Sequence, residues 1–368
     1  MKTVMGIIDL QDDNRLIREL SEHRNVASIP FAGRYRLIDF ALSSMVNSGV
    51  NNVGIMLPDN PRSVLDHLRS GKDWDLARRH DGLFYLPASP SEKGESKGDL
   101  KSFYDNLDFF EHSSQKYVLV ASGSFVYNID FNDMLRFHQN TGADITVLCH
   151  TIMEKQEGET VVVETAENGL VEDIAIKPAA YEGSKVALNA FLMEKRKFVD
   201  LVRDTYEHGG QDLLLDGLIR QARDYTIYAW EHDGYAAQVD STDAYYKASM
   251  EVLQPKIWKE LFMGNHLIFT KVKDEVPVQY KKTAKVKNSL IANGCVIRGE
   301  VENSILFRGV RVGEGVKIKN SIVMQKGSIE DGAVVENVIA DKNVVITEDK
   351  WLKGAPNYPL IIKKNVVI

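Results

Sequence analysis

At 368 residues, with 44% apolar and 26% charged side chains, the chain has an ordinary globular composition and enough length for two domains. A formal charge of −7 gives no footprint for a polyanionic partner such as nucleic acid. No apolar run is long enough to span a bilayer and the N-terminus lacks a secretory pattern, so a cytoplasmic location is expected.

In chain order, Lys2 to Ile8 reads as an apolar, buried first strand. The loop after such a strand faces ligand in an α/β protein, and a phosphate site there usually needs glycine. This loop instead reads Asp9-Leu10-Gln11-Asp12-Asp13-Asn14-Arg15, with three carboxylates and no glycine. Up to about Leu253, apolar runs alternate with amphipathic stretches, which predicts a mostly parallel sheet covered by helices. Strands are expected at Val4–Ile8, Val53–Leu57, Tyr117–Ala121, Ile145–His150, Thr160–Glu164, Val186–Phe191 and Thr226–Trp230. Helices are expected at Arg36–Ser48, Pro61–Leu68, Lys101–Phe110, Phe131–Gln139, Lys195–Tyr206 and Thr242–Leu253. The polar stretch from Ser89 to Gly98 reads as a mobile loop, and the weakly periodic segment 256–282 as the connection between domains. Domains are therefore expected at 1–255 and 283–368. Cys149 and Cys295 fall in different domains and are expected to be buried thiols.

From Thr283 the period changes to six. Val310, Val316, Ile322 and Val334 keep one phase, which Ser328 shares, and small residues (Gly309, Gly315, Ser321, Gly327, Ala333) stand one place earlier. Such a pattern marks a parallel β-helix whose flat sides bury ladders of β-branched residues. Its open end is an exposed edge that invites docking.

Several stretches together resemble the glucose-1-phosphate adenylyltransferases (ADP-glucose pyrophosphorylases). They are Pro-Phe-Ala-Gly-Arg-Tyr-Arg-Leu-Ile-Asp-Phe-Ala-Leu-Ser at 30–43, Asn47-Ser-Gly-Val50, the block from His67 to Leu76 with Trp74-Asp75-Leu76, Tyr117 to Gly123, Gly234-Tyr235 and the hexapeptide tail. The resemblance covers nearly the whole chain. It implies a Rossmann-like nucleotidyltransferase domain followed by a left-handed β-helix, assembling as a tetramer. The implied reaction joins glucose 1-phosphate to the α-phosphate of ATP and releases pyrophosphate, which calls for a phosphate cradle, cations and Mg²⁺.

Measured against that family, the reactive positions are replaced. Only Arg15-Leu16 matches the end of the glycine-rich loop, and Val26 stands where the family has a lysine. The family's Gly-Thr-Ala-Asp-Ala becomes Gly98-Asp-Leu-Lys-Ser102. The two metal aspartates become Ser124 and Gln238. Asp240 lies two places on, roughly 7 Å away along a strand, too far to chelate the same ion unaided. Glu-Lys-Pro becomes Ile176-Lys177-Pro178, which keeps the lysine that contacts the sugar phosphate, although a solvated lysine before a proline turn explains it equally well. Arg15 and Lys177 are thus the remaining substrate-binding candidates.

The coordinated losses resemble the non-catalytic, GlgD-type regulatory subunit, which pairs with an active subunit in a hetero-oligomer that makes ADP-glucose for glycogen. On that reading Mg²⁺ and ATP belong to the active partner. The family's effectors, sugar phosphates or nucleotides, imply anion-binding residues at Arg24 and Arg36, with His23 and Arg34 beside them. Arginine forks suit phosphate oxygens, although pairing of Arg34 and Arg36 with local acids such as Asp39 explains them as well. An active sugar-phosphate nucleotidyltransferase with a modified metal and phosphate site is the alternative. An acyltransferase built on the β-helix is disfavoured, because no histidine lies in 283–368.

Overall fold

The computed structural model describes residues 1–11, 15–89, 98–264 and 266–368. It divides into two units, each discontinuous in sequence: Met1–Asp12, Phe40–Ala236 and His266–Ile268 form one, and Asp13–Asp39, Ala237–Asn265 and Phe269–Ile368 the other. Of the expected acidic loop, residues 12–14 lie outside the described residues, as do 90–97 of the expected mobile loop.

The first unit is built on β1 (Val4–Asp9), β2 (Asn52–Met56), β3 (Gly82–Leu86), β4 (Tyr117–Ser122), β5 (Ile145–Thr151), β6 (Gln156–Thr165), β7 (Val171–Ala180), β8 (Lys185–Glu194) and β9 (Ile227–Glu231). Met5, Ile7 and Ile8 are fully buried, because a central strand is covered on both faces. The order is β7-β6-β8-β4-β1-β2-β3, with β5 between β8 and β9. Strands β3, β2, β1 and β4 run parallel, whereas β8 joins β4 antiparallel. The chain leaves β1 toward β2 and β3 and returns to β4 on the other side. That reversal of strand order puts a ligand crevice beyond the carboxyl ends of β1 and β4.

The expected strands all form. Two edge strands are additions: β3 is five residues long, and β7 carries Glu172, Asp173 and Pro178, which weaken its alternation but are tolerated at a sheet edge. The expected helix Lys101–Phe110 is two helices, α1 (Leu100–Asp105) and α2 (Leu107–His112). The break falls at Asn106, whose amide donates to Ser102 O at 2.7 Å and to Pro87 O at 3.1 Å. Helix α3 (Lys195–Glu207) packs Phe198 against Phe103 and Phe110 at ring separations of 5.8 and 5.0 Å.

The second unit carries three five-stranded parallel sheets of two- and three-residue strands, the architecture of a hexapeptide β-helix. Most coils span 17 residues rather than three hexads: Arg311 pairs with Ser328, Lys317 with Val334 and Ile322 with Ile339, whereas an earlier coil is shorter, with Val296 paired to Arg311. The phase that runs Val310, Val316, Ile322 therefore slips by one at a five-residue step, so Val316 precedes its strand whereas Ile322 begins one. The short corner holds Asn288, Asn303, Asn320 and Asn337, all with positive φ between 43° and 52°, and an αL residue turns the chain within one residue fewer. Within the segment expected to be an irregular connection, Pro255–Phe262 is a helix with proline in its first turn. Among the described residues, no helix is long and apolar enough to cross a membrane.

Candidate functional site

At the carboxyl end of β1, Asp9 lies in register with Ser122 at the end of β4, and Gly123 N donates to Asp9 O at 3.2 Å. Gln11 N turns back onto Asp9 Oδ1 at 3.1 Å. A further carboxyl converges there. Gly98 brings the backbone so close to Gln211 that a Cβ at residue 98 would lie 1.7 Å from its carbonyl oxygen. This approach sets Asp99 against the chain ahead of 213, where it accepts from Leu213 N at 2.7 Å. Asp9 and Asp99 also share a side-chain hydrogen bond, which requires a proton on one of them. Burial first, and the charge of Asp212 second, push the Asp99 carboxyl up to about 7, against the opposing effect of its hydrogen bonds. The crevice end of the sheet is therefore lined by acids, and a polyphosphate would meet repulsion there.

The metal positions are equally unsuited. Ser124 is 3% exposed, and its hydroxyl lies 2.8 Å from the Ser122 hydroxyl. Gln238, in the second unit, offers a neutral amide, and the half-buried Asp240 precedes the Ser241 cap of the helix Thr242–Glu251. Mg²⁺ prefers carboxylate oxygens, and a hydroxyl and an amide supply none of the required charge, so these residues do not fit the ion. Among the described residues, no group of three His, Cys, Asp or Glu side chains is arranged to hold a metal. Val26 is buried in a 3₁₀ turn, Val26–Ser28, capped by the Asn25 side chain onto Ala27 N. Arg15 is exposed at the start of another such turn. Lys177 is half-buried on β7 and ion-paired to Glu164 of the neighbouring strand at 2.8 Å. Cys149 and Cys295 are free and buried, and burial pushes their thiols up to about 12 and about 11, so both are inert.

The second unit concentrates positive charge. Arg24 is 6% exposed and forms a buried ion pair with Asp341, at the corner between two β-helix strands. The other Asp341 oxygen accepts from Lys342 N at 2.7 Å. Lys342 lies in the field of Arg36, Arg24 and Lys273, with Asp341 as the opposing charge. Burial, then Arg36 and Arg24, bring its ammonium down to about 7. Arg36 N donates to Asp39 Oδ2 at 2.9 Å, a bond of its backbone. Arg34 goes elsewhere: its guanidinium lies 5.4 Å above the Tyr35 ring, itself stacked on Phe262 at 4.9 Å. Arg308 donates to Arg34 O at 3.4 Å, and burial followed by the Arg34 charge lowers its pKa. Of the three expected effector arginines, two thus meet around Lys342 and the third stands with Arg308.

Comparison with known proteins places this geometry. A nucleotidyl transferase family model matches residues 14–255, and a GlmU-like C-terminal hexapeptide model matches 275–352. The glycogen biosynthesis protein GlgD of Bacillus subtilis is 38% identical over 99% of this chain and 96% of its own length. That of Geobacillus stearothermophilus is 41% identical over 99% and 97%. The chain belongs to the glucose-1-phosphate adenylyltransferase family, among its GlgD proteins. A relative named for the activity, the glucose-1-phosphate adenylyltransferase of Thermotoga neapolitana, is 32% identical over 87% of the chain and 77% of its own length.

Lys342, Lys273, Asp341, Asp212 and the carboxyl of Asp99 went unread as site residues in the sequence. A signal existed for one pair: Asp341-Lys342 interrupts the apolar run Val338-Ile339-Ala340 before Val344-Val345, a place where a β-helix ordinarily turns on small residues. Asp99 and Asp212 are 113 positions apart, and only the Gly98 approach brings them together.

Proposed function

We propose that this chain is the non-catalytic, regulatory subunit of a hetero-oligomeric ADP-glucose pyrophosphorylase in cytoplasmic glycogen synthesis, pairing with a catalytic subunit that supplies Mg²⁺ and ATP binding. The observation that carries the reading is the carboxyl end of β1 and β4, where Asp9, Asp99 and Asp212 stand in place of a phosphate cradle and Ser124 in place of a metal ligand. Catalysis of adenylyl transfer needs positive charge aimed at phosphate oxygens, and the charges here have the opposite sign. Arg24, Arg36, Lys273 and Lys342 form the regulatory end of the molecule: the cluster takes the phosphate group of a sugar-phosphate or nucleotide effector. Arg15 and Lys177 contribute no substrate contact in this reading, Lys177 being engaged by Glu164. Assaying ADP-glucose synthesis by the purified chain, alone and mixed with a catalytic subunit, tests the proposal. Expected is no turnover alone and a changed effector response in the mixture, with a larger complex by mass.

A further inference from the structure

The geometry points to Asp341 as an internal stand-in for the effector's anionic group: its carboxylate holds Arg24, and an incoming phosphate binds by competing with it for that guanidinium. The inference rests on the anion-site reading above and adds to it the residue that sets the site's affinity.

Four cations (Arg24, Arg36, Lys273 and Lys342) act on one small region, and Asp341 is the carboxylate among them that acts on Lys342. It is 2% exposed, and both of its oxygens are engaged, one by the Arg24 guanidinium and the other by Lys342 N. Its backbone is fixed as well, since Asp341 N donates to Ile362 O at 2.9 Å. The carboxylate is thus an immobile part of the β-helix corner, whereas the Arg24 guanidinium ends a long side chain with several rotatable bonds. No ion pair of Lys342 is present among the described residues. Asp341 therefore compensates Arg24 and leaves the lysine short of counter-charge. A phosphate oxygen beside Lys342 would gain most if Arg24 turned to meet it, and Asp341 opposes that turn both by attraction and by repelling the anion. The pair acts as a threshold: weak anions leave Arg24 with Asp341, and only a multiply charged group draws it away.

Sulfate is the probe, because it stays a dianion across the working range, and calorimetric titration of the full chain is the measurement. For Asp341→Asn, sulfate is expected to bind about tenfold tighter than to the parent chain. An affinity unchanged or weakened in D341N, with the parent binding sulfate, overturns the inference and leaves the anion site standing. Absence of sulfate binding in parent and variant alike, both folded by circular dichroism, overturns the anion site as well. Arg24→Gln and the double variant R24Q/D341N cover the case in which D341N does not fold, since a neutral polar pair in place of a buried ion pair is commonly tolerated. With no guanidinium left to compete for, R24Q/D341N is expected to bind sulfate within about threefold of R24Q; a tenfold gain there means that Asp341 acts by repelling the anion alone and overturns the inference.

Discussion

An aspartate held between Gly98 and Leu100, with Asp9 and Asp212 as neighbours, keeps its proton until the pH nears neutrality. Its folded pKa is raised above the unfolded value, so the folded state binds more protons between about pH 4 and about pH 7. The stability this proton contributes is fully present below that window and is lost as pH rises through about 7. Asp99→Asn keeps an acceptor for Leu213 N and removes the titration. Thermal unfolding of D99N is expected to lose this pH dependence and to give a higher midpoint than the parent at mildly alkaline pH; identical pH profiles would contradict the assignment. Lys342 has the opposite sign. Its ammonium, faced by Arg24, Arg36, Lys273 and Asp341, is depressed to about 7, so it is charged only below that pH. Sulfate affinity should therefore rise as pH falls through about 7, with proton uptake visible as a buffer-dependent binding heat. Lys342→Gln should abolish both effects.

At the scale of elements, the β-helix corner shows what periodicity can and cannot convey. Valine phase and small corner residues made the solenoid legible from residues 309–334, yet a six-residue template misplaces the strand that follows each asparagine. Asn320 donates from its side chain to Asn337 Oδ1 at 3.3 Å, and its carbonyl accepts from Tyr246 OH at 2.6 Å. Asn320→Ala is expected to cost about 1–2 kcal/mol in denaturant unfolding, through αL strain and a lost side-chain hydrogen bond. Asn320→Gly, which accepts the positive φ, should cost less than the alanine variant despite losing the same bond. The first unit teaches a related lesson. The buried parallel strands are legible in the sequence because an apolar run is a strong local signal, whereas β3 and β7 at the edges carry little of that signal. The aspartates of the crevice were visible singly, but their convergence depends on a backbone approach that local pattern does not encode.

For the molecule as a whole, the most consequential feature is where the segment after β1 belongs. Residues 15–39 pack with the C-terminal unit: Glu22 pairs with Lys363 at 2.7 Å, Pro30 O accepts from Tyr245 OH at 2.7 Å, and Arg24 reaches Asp341. In sequence this stretch reads as the loop and helix start of the nucleotidyltransferase domain, and its resemblance to the family was clear from 30–43. Contacts spanning some 300 residues, such as Arg24 with Asp341, carry no local signature, so only the fold reveals that this segment is built into the unit that carries the β-helix. Retaining this framework while replacing the reactive charges is what the proposed regulatory subunit requires. The direct test is ADP-glucose formation measured with ATP, glucose 1-phosphate and Mg²⁺, using the chain alone, a catalytic subunit alone, and both together. The account predicts no product from the chain alone and an altered effector response of the catalytic subunit in the mixture. Sustained turnover by the chain alone, or a catalytic subunit indifferent to its presence, would contradict it.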